Sequence, residues 1–121
     1  MMLKSIHHIQ LAMPKGGEDA ARAFYAGVLG LAEVEKPDNL KARGGCWFEA
    51  GELRVHFGVE PDFRPARKAH PAFLVDDVAA VAAAVEQAGY EVKADEPLDG
   101  FLRSYIHDPF GNRIELMQVL G

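Results

Sequence analysis

Two spacings in this chain coincide: Gly30 and Gly89 stand 59 positions apart (89 minus 30), and so do His56 and Glu115 (115 minus 56). A period of this length means one supersecondary unit made twice, which limits the chain to folds with two similar halves. Each glycine ends a helical pattern. Ala21, Phe24, Tyr25 and Val28 share one face of a helix expected over 18–29. Val78, Val81, Ala82, Val85 and Ala88 share one face of a second helix, which Asp76 or Asp77 can cap. A glycine just past a helix takes the left-handed conformation that stops it.

Strand patterns complete each half. Residues 5–13, 31–35, 46–50 and 53–59 read as strands in the first half, with a polar loop over 36–44 and a hairpin closed by Gly51-Glu52. Residues 69–75, 90–93, 101–107 and 113–120 read as strands in the second, the last two joined by Asp108-Pro109-Phe110-Gly111-Asn112. The expectation is an α+β protein of two β-α-β-β-β modules, 4–59 and 69–120, joined by the Pro-containing linker 60–68 within one domain over 1–121. His8 and His70 are 62 apart (70 minus 8), and the extra three positions match Lys15-Gly16-Gly17 in the first half.

Alternation then sorts the faces. If Ile9 and Leu11 pack on the helix, His8 and Gln10 leave from the other side of the sheet. The same test sends His56, His70 and Glu115 away from the helices. A first-row divalent ion is well served by imidazoles plus a carboxylate, with a position left open. His8, His56, His70 and Glu115 are therefore the candidate ligands of one metal ion per site, with Fe, Mn, Ni and Zn all compatible. His56 can instead act as a nearby acid or base. A two-residue turn at Gly51-Glu52 sets Trp47 opposite His56 and Glu49 opposite Arg54, while one register of the last hairpin sets Tyr105 opposite Glu115 and Arg103 opposite Met117. Trp47, Arg54, Arg103 and Tyr105 can thus wall a pocket for an anionic or aromatic substrate.

Composition narrows the partners. A net charge of -5 with 26% charged residues offers no basic stripe for nucleic acid. No apolar run approaches the roughly 18 residues that span a bilayer, and the first residues lack the long apolar core of a signal peptide. The expected location is the cytoplasm, which suits a chain whose lone Cys46 has no disulfide partner within it and reads as a small core residue.

The runs His8-Ile9-Gln10-Leu11-Ala12-Met13, Arg22-Ala23-Phe24-Tyr25 and Val28-Leu29-Gly30-Leu31, with the ending Asp108-Pro109-Phe110-Gly111-Asn112-Arg113-Ile114-Glu115-Leu116, resemble the vicinal oxygen chelate superfamily of glyoxalases, bleomycin resistance proteins and extradiol dioxygenases. The resemblance covers nearly the whole chain. It implies paired modules forming a partly closed, mostly antiparallel, barrel-like sheet with helices on its outer face, and a homodimer. It also implies a metal-dependent lyase, isomerase or dioxygenase acting on a small oxygen-rich or thiol-conjugated metabolite, with Glu115, His56 and Tyr105 as its catalytic groups. The alternative it carries is a metal-free protein that sequesters a flat ligand, as bleomycin resistance proteins do. Bacterial glyoxalases usually have glutamate where His56 stands. Tyr105 resembles the active-site tyrosine of extradiol dioxygenases, but Ser104 and Glu96-Pro97-Leu98 depart from the signature around it. The potassium-binding loop of fosfomycin-type thiol transferases is not identifiable.

Overall fold

The computed structural model describes residues 2–121. The chain divides into two compact units, the first ending at Phe63 and the second beginning at Arg64. In the first, strand β1 (Ile9–Met13) is followed by helix α1 (Glu18–Ala21), which runs into a π-helical turn over Arg22–Ala26. Strand β2 (Ala32–Val34), a 3-10 helix (Asp38–Arg43), β3 (Trp47–Ala50) and β4 (Leu53–Val59) complete the unit. The second unit has β5 (Ala72–Leu74), α2 (Val78–Gln87), β6 (Val92–Ala94), β7 (Phe101–His107) and β8 (Arg113–Val119).

The two sheets have the same order, β1-β4-β3-β2 and β5-β8-β7-β6. In each, the outer pair β1 with β4 or β5 with β8 is parallel, and the other pairings are antiparallel. Most pairings are antiparallel as expected, but the barrel-like closure is corrected: each unit holds an open, mixed four-stranded sheet with two edges. A parallel outer pair follows from a β-α crossover, since a chain that returns through a helix re-enters in the same direction. Registers carry the repeat down to single residues. Gln10, His56, Trp47 and Val34 lie abreast in the first sheet, and Ala72, Glu115, Tyr105 and Lys93 in the second.

Packing decides which face is which. In the first unit Met13, Phe24, Tyr25, Phe48, Val55 and Phe57 are fully or almost fully buried. The Tyr25 ring lies 4.8 Å from Phe57 and 5.8 Å from Phe48, so the helical segment covers the Phe48 and Phe57 face. Phe73, Val78, Val85, Ile106, Ile114 and Leu116 form the counterpart core. Each such side chain stabilises its unit by about 1.5–3 kcal/mol. Trp47 and His56, and likewise Tyr105 and Glu115, leave from the opposite face by strand alternation.

Local differences from the sequence expectation have local causes. The strands expected over 5–13 and 69–75 shorten to Ile9–Met13 and Ala72–Leu74, since ladder pairing begins at Ile9 with Val55 and at Ala72 with Glu115. The helix expected over 18–29 is widened by one residue: Gly27 N–H donates to Arg22 O at 3.1 Å and Leu29 N–H to Phe24 O at 2.9 Å, each five residues back. Gly27 permits it, because a Cβ there would lie 2.4 Å from the Ala23 carbonyl oxygen. Both helices end as expected at left-handed glycines, Gly30 (φ 79°) and Gly89 (φ 92°). Asp77 caps α2 by accepting from Ala80 N–H at 3.1 Å. The loop expected over 36–44 contains the 3-10 helix, closed by Leu40 N–H to Pro37 O. No helix among the described residues is long and apolar enough to cross a membrane.

Candidate functional site

The turn before β8 fixes where Glu115 stands. Asp108 Oδ1 accepts from Phe110 N–H at 2.9 Å and Asn112 N–H at 2.8 Å, while Oδ2 accepts from the Asn112 amide at 3.0 Å. Three residues later the buried Glu115 carboxylate meets two cationic or basic groups. Its Oε1 lies 3.0 Å from His70 Nε2, and its Oε2 accepts from Arg103 Nη1, also at 3.0 Å. Arg103 in turn binds Asp95 at 3.0 Å and donates from Nε to Glu96 O at 2.8 Å. The Glu115 hydrogen bond, reinforced by Asp95, holds the Arg103 guanidinium above its ordinary value.

His70 is oriented from behind. Its Nδ1 lies 2.8 Å from the Lys68 carbonyl oxygen, which only accepts, so Nδ1 carries a proton. In the neutral ring Nε2 is then the lone-pair nitrogen, aimed at a carboxylate oxygen that also offers only lone pairs. Such a pair calls for a cation between its members, either a proton or a metal. Ligand atoms about 2.1 Å from a metal and at right angles to each other stand about 3 Å apart, the separation found here. The two donors therefore fit adjacent positions of a divalent ion, and the Nδ1–H to carbonyl bond is the outer-shell support that metal-binding histidines usually have.

Tyr105, abreast of Glu115, is buried with the Arg113 guanidinium 3.8 Å over its ring and His70 edge-on at 5.1 Å. Burial, then its hydrogen bond to Asp95, raises the Tyr105 hydroxyl above its ordinary value. It keeps its proton at neutral pH. Asp95 is pushed up by desolvation, but the Glu96 N–H, Tyr105 and Arg103 outweigh that and leave it lowered.

The first unit brings its candidates together differently. The buried His56 ring is stacked on Trp47 at 3.8 Å with 3° between planes, and the exposed His8 ring stacks on it at 4.1 Å and 20°. Parallel rings direct their lone pairs side by side, so this pair does not converge as a chelate. His8 Nδ1 lies 3.0 Å from His7 Nδ1. Desolvation, with His8 and His7 adding to it, lowers His56 below its ordinary value and keeps it neutral at pH 7. Arg54 is spent on the His7 carbonyl oxygen at 3.2 Å. Within each unit, among the described residues, no three His, Cys, Asp or Glu side chains converge on a metal position.

Several contributors lie outside the residues singled out from the sequence. Asp95 sits in what reads as a polar loop, and the Lys68 carbonyl carries no side-chain signal at all. Arg113 had a usable signal, since it lies two positions before Glu115 and so on the same strand face.

The sequence profile of the Glyoxalase/Bleomycin resistance protein/Dioxygenase superfamily matches residues 5–116. A glyoxalase family protein from Bacillus anthracis is similar over 98% of this chain and 97% of its own, with 45% identity and a TM-score of 0.92. A lactoylglutathione lyase from Agrobacterium tumefaciens shares the fold at 24% identity and a TM-score of 0.72, over 96% and 94% of the two chains. An antibiotic binding protein from a Streptomyces species does so at 18% identity and 0.74, over 99% of each. A search of curated proteins found no match.

Proposed function

The chain belongs to the Glyoxalase/Bleomycin resistance protein/Dioxygenase superfamily, and from that premise we propose that it is a divalent-metal-dependent enzyme acting on a small oxygen-rich or thiol-conjugated metabolite. One observation carries the reading: His70 Nε2 faces Glu115 Oε1 at 3.0 Å with the His70 Nδ1 proton already committed. His70 and Glu115 are the proposed ligands. His8 and His56 keep their place as candidate donors on the strength of the repeat alone. A bound divalent ion supplies Lewis-acid stabilisation of negative charge developing on substrate oxygens. Arg103 restrains the second Glu115 oxygen, Tyr105 retains a proton to donate, and neutral His56 is available to accept one. Trp47 and Arg54 are proposed to contact the substrate, and a homodimer is the proposed assembly.

A second reading has its own support. The stack of Trp47, His56 and His8 is an aromatic surface suited to a flat ligand, as a metal-free sequestering protein requires. Elemental analysis after dialysis against Fe(II), Mn(II), Ni(II) and Zn(II) separates the two. The expected result is about one ion per chain, lost in both His70→Ala and Glu115→Ala while circular dichroism stays unchanged. Loss in His8→Ala or His56→Ala would add that residue to the ligand set. A folded wild-type protein that retains no metal overturns the enzyme reading in favour of sequestration.

A further inference from the structure

On the first sheet, the face that carries His56 and Trp47 borders a cavity of about 180 Å³. That is below the 300–1,000 Å³ or so of a site that encloses a whole drug-sized ligand, so it suits one ring or one acid group. Its polar lining is one-sided. Lys36, Arg43 and Gln10 line it, and no carboxylate among the described residues does; Trp47 and Leu40 supply the apolar wall.

The state of the two cations is informative. Lys36 is held by the neutral Gly44 carbonyl oxygen and has no ion pair among the described residues. Arg43 has no ion pair among the described residues, although acids are close in sequence: Asp38 and Glu35 are both taken by Lys41. The nearest acid to the glycine wall, Glu18, accepts from Gly45 N–H at 2.9 Å. Two glycines adjoin it or its neighbour strand. Gly44 and Gly45 are left-handed (φ 75° and 84°), and a Cβ on Gly45 would lie 2.1 Å from the Phe57 carbonyl oxygen. The chain thus passes close against the β4 backbone just before β3 begins, with Arg43 and Gly44 in the cavity lining.

We infer that this cavity receives an anionic group, a carboxylate or a phosphate, of a small ligand whose planar part lies against Trp47. The inference deepens the proposed function, because it rests on that face being the ligand face, but it requires no metal. A chain with net charge -5 repels small anions at long range, so two cations beside an indole, with no ion pair among the described residues, are a local exception to its surface.

Trp47 is the chain's one tryptophan, so its fluorescence reports this cavity without a label. Benzoate, phenyl phosphate and neutral benzamide are titrated into the full chain with EDTA present. The expected result is saturable quenching by at least one of the two anions, the better one naming the acid. That affinity falls about tenfold or more in Arg43→Gln and in Lys36→Met, as loss of a charged hydrogen bond implies. Benzamide binds at least about tenfold more weakly than the better anion. Absence of saturable quenching by both anions, benzamide binding equal to theirs, or full affinity in the Arg43→Gln protein would overturn the inference. Since metal is excluded throughout, none of these outcomes depends on whether His70 and Glu115 bind an ion.

Discussion

The two units share strand order, register and helix placement, yet equivalent rows carry unlike chemistry. In the first, Trp47, His56 and His8 are stacked rings. In the second, Tyr105, Glu115 and His70 are tied by charge to Arg103, Arg113 and Asp95. The contrast begins with one residue. By register, Gly45 in the first unit stands where Arg103 stands in the second, two positions before Trp47 and Tyr105 respectively. A left-handed glycine ends the ladder there, and β3 is four residues long. Arginine continues it, β7 runs for seven, and the guanidinium reaches Glu115. A repeated backbone thus diversifies where one copy permits a side chain and the other forbids it.

The strongest way to break this comparison is to make the two positions alike. Gly45→Ala combines a strained positive φ with a Cβ 2.1 Å from the Phe57 oxygen, and is expected to cost about 3 kcal/mol or more in urea unfolding. A near-neutral result would mean that the glycine is incidental. The neighbouring pair sharpens the contrast further: Cys46 stands where Ser104 donates to Lys93 O at 3.0 Å. Burial pushes the Cys46 thiol up to about 11, two decades above an ordinary thiol. Native protein at pH 8 should therefore react with a maleimide about a hundredfold or more slower than the urea-unfolded chain. Equal rates would show the first unit to be looser than its packing suggests. The smallest effect concerns two arginines. Arg54→Ala loses only a bond to a backbone oxygen and should stay within about 0.5 kcal/mol of wild type. Arg103→Met leaves Glu115 and Asp95 without their shared cation, and its urea midpoint should fall below that of Arg54→Ala.

Much of this was legible beforehand, and the reasons are particular. The tight turn at Gly51-Glu52 and the two-residue strand period set Trp47 opposite His56, and the last hairpin's register set Tyr105 opposite Glu115. Both are short-range consequences of alternation and turn length. The parallel outer pairs and the open sheets were not legible, because they depend on where a crossover returns. Nor was the stacking of His8 on His56: alternation assigns a face but not a rotamer, and a ring on the correct face can aim its lone pair or present its plane. The π-helical turn at Gly27 was hidden by a face pattern that tolerates one extra residue.

The parallel outer pairs also set the order in which the molecule can assemble. The β3–β4 and β7–β8 hairpins close spans of a few residues, and the Asp108 turn organises the second of them with local bonds alone. β1 and β5 instead wait for loops of roughly forty residues to close, which is slower. His8 and His70 sit beside those late strands, whereas His56 and Glu115 belong to the early hairpins. The histidine most closely matched to Glu115 therefore arrives only when the topology is complete, and a partly folded chain would present the carboxylate without its imidazole.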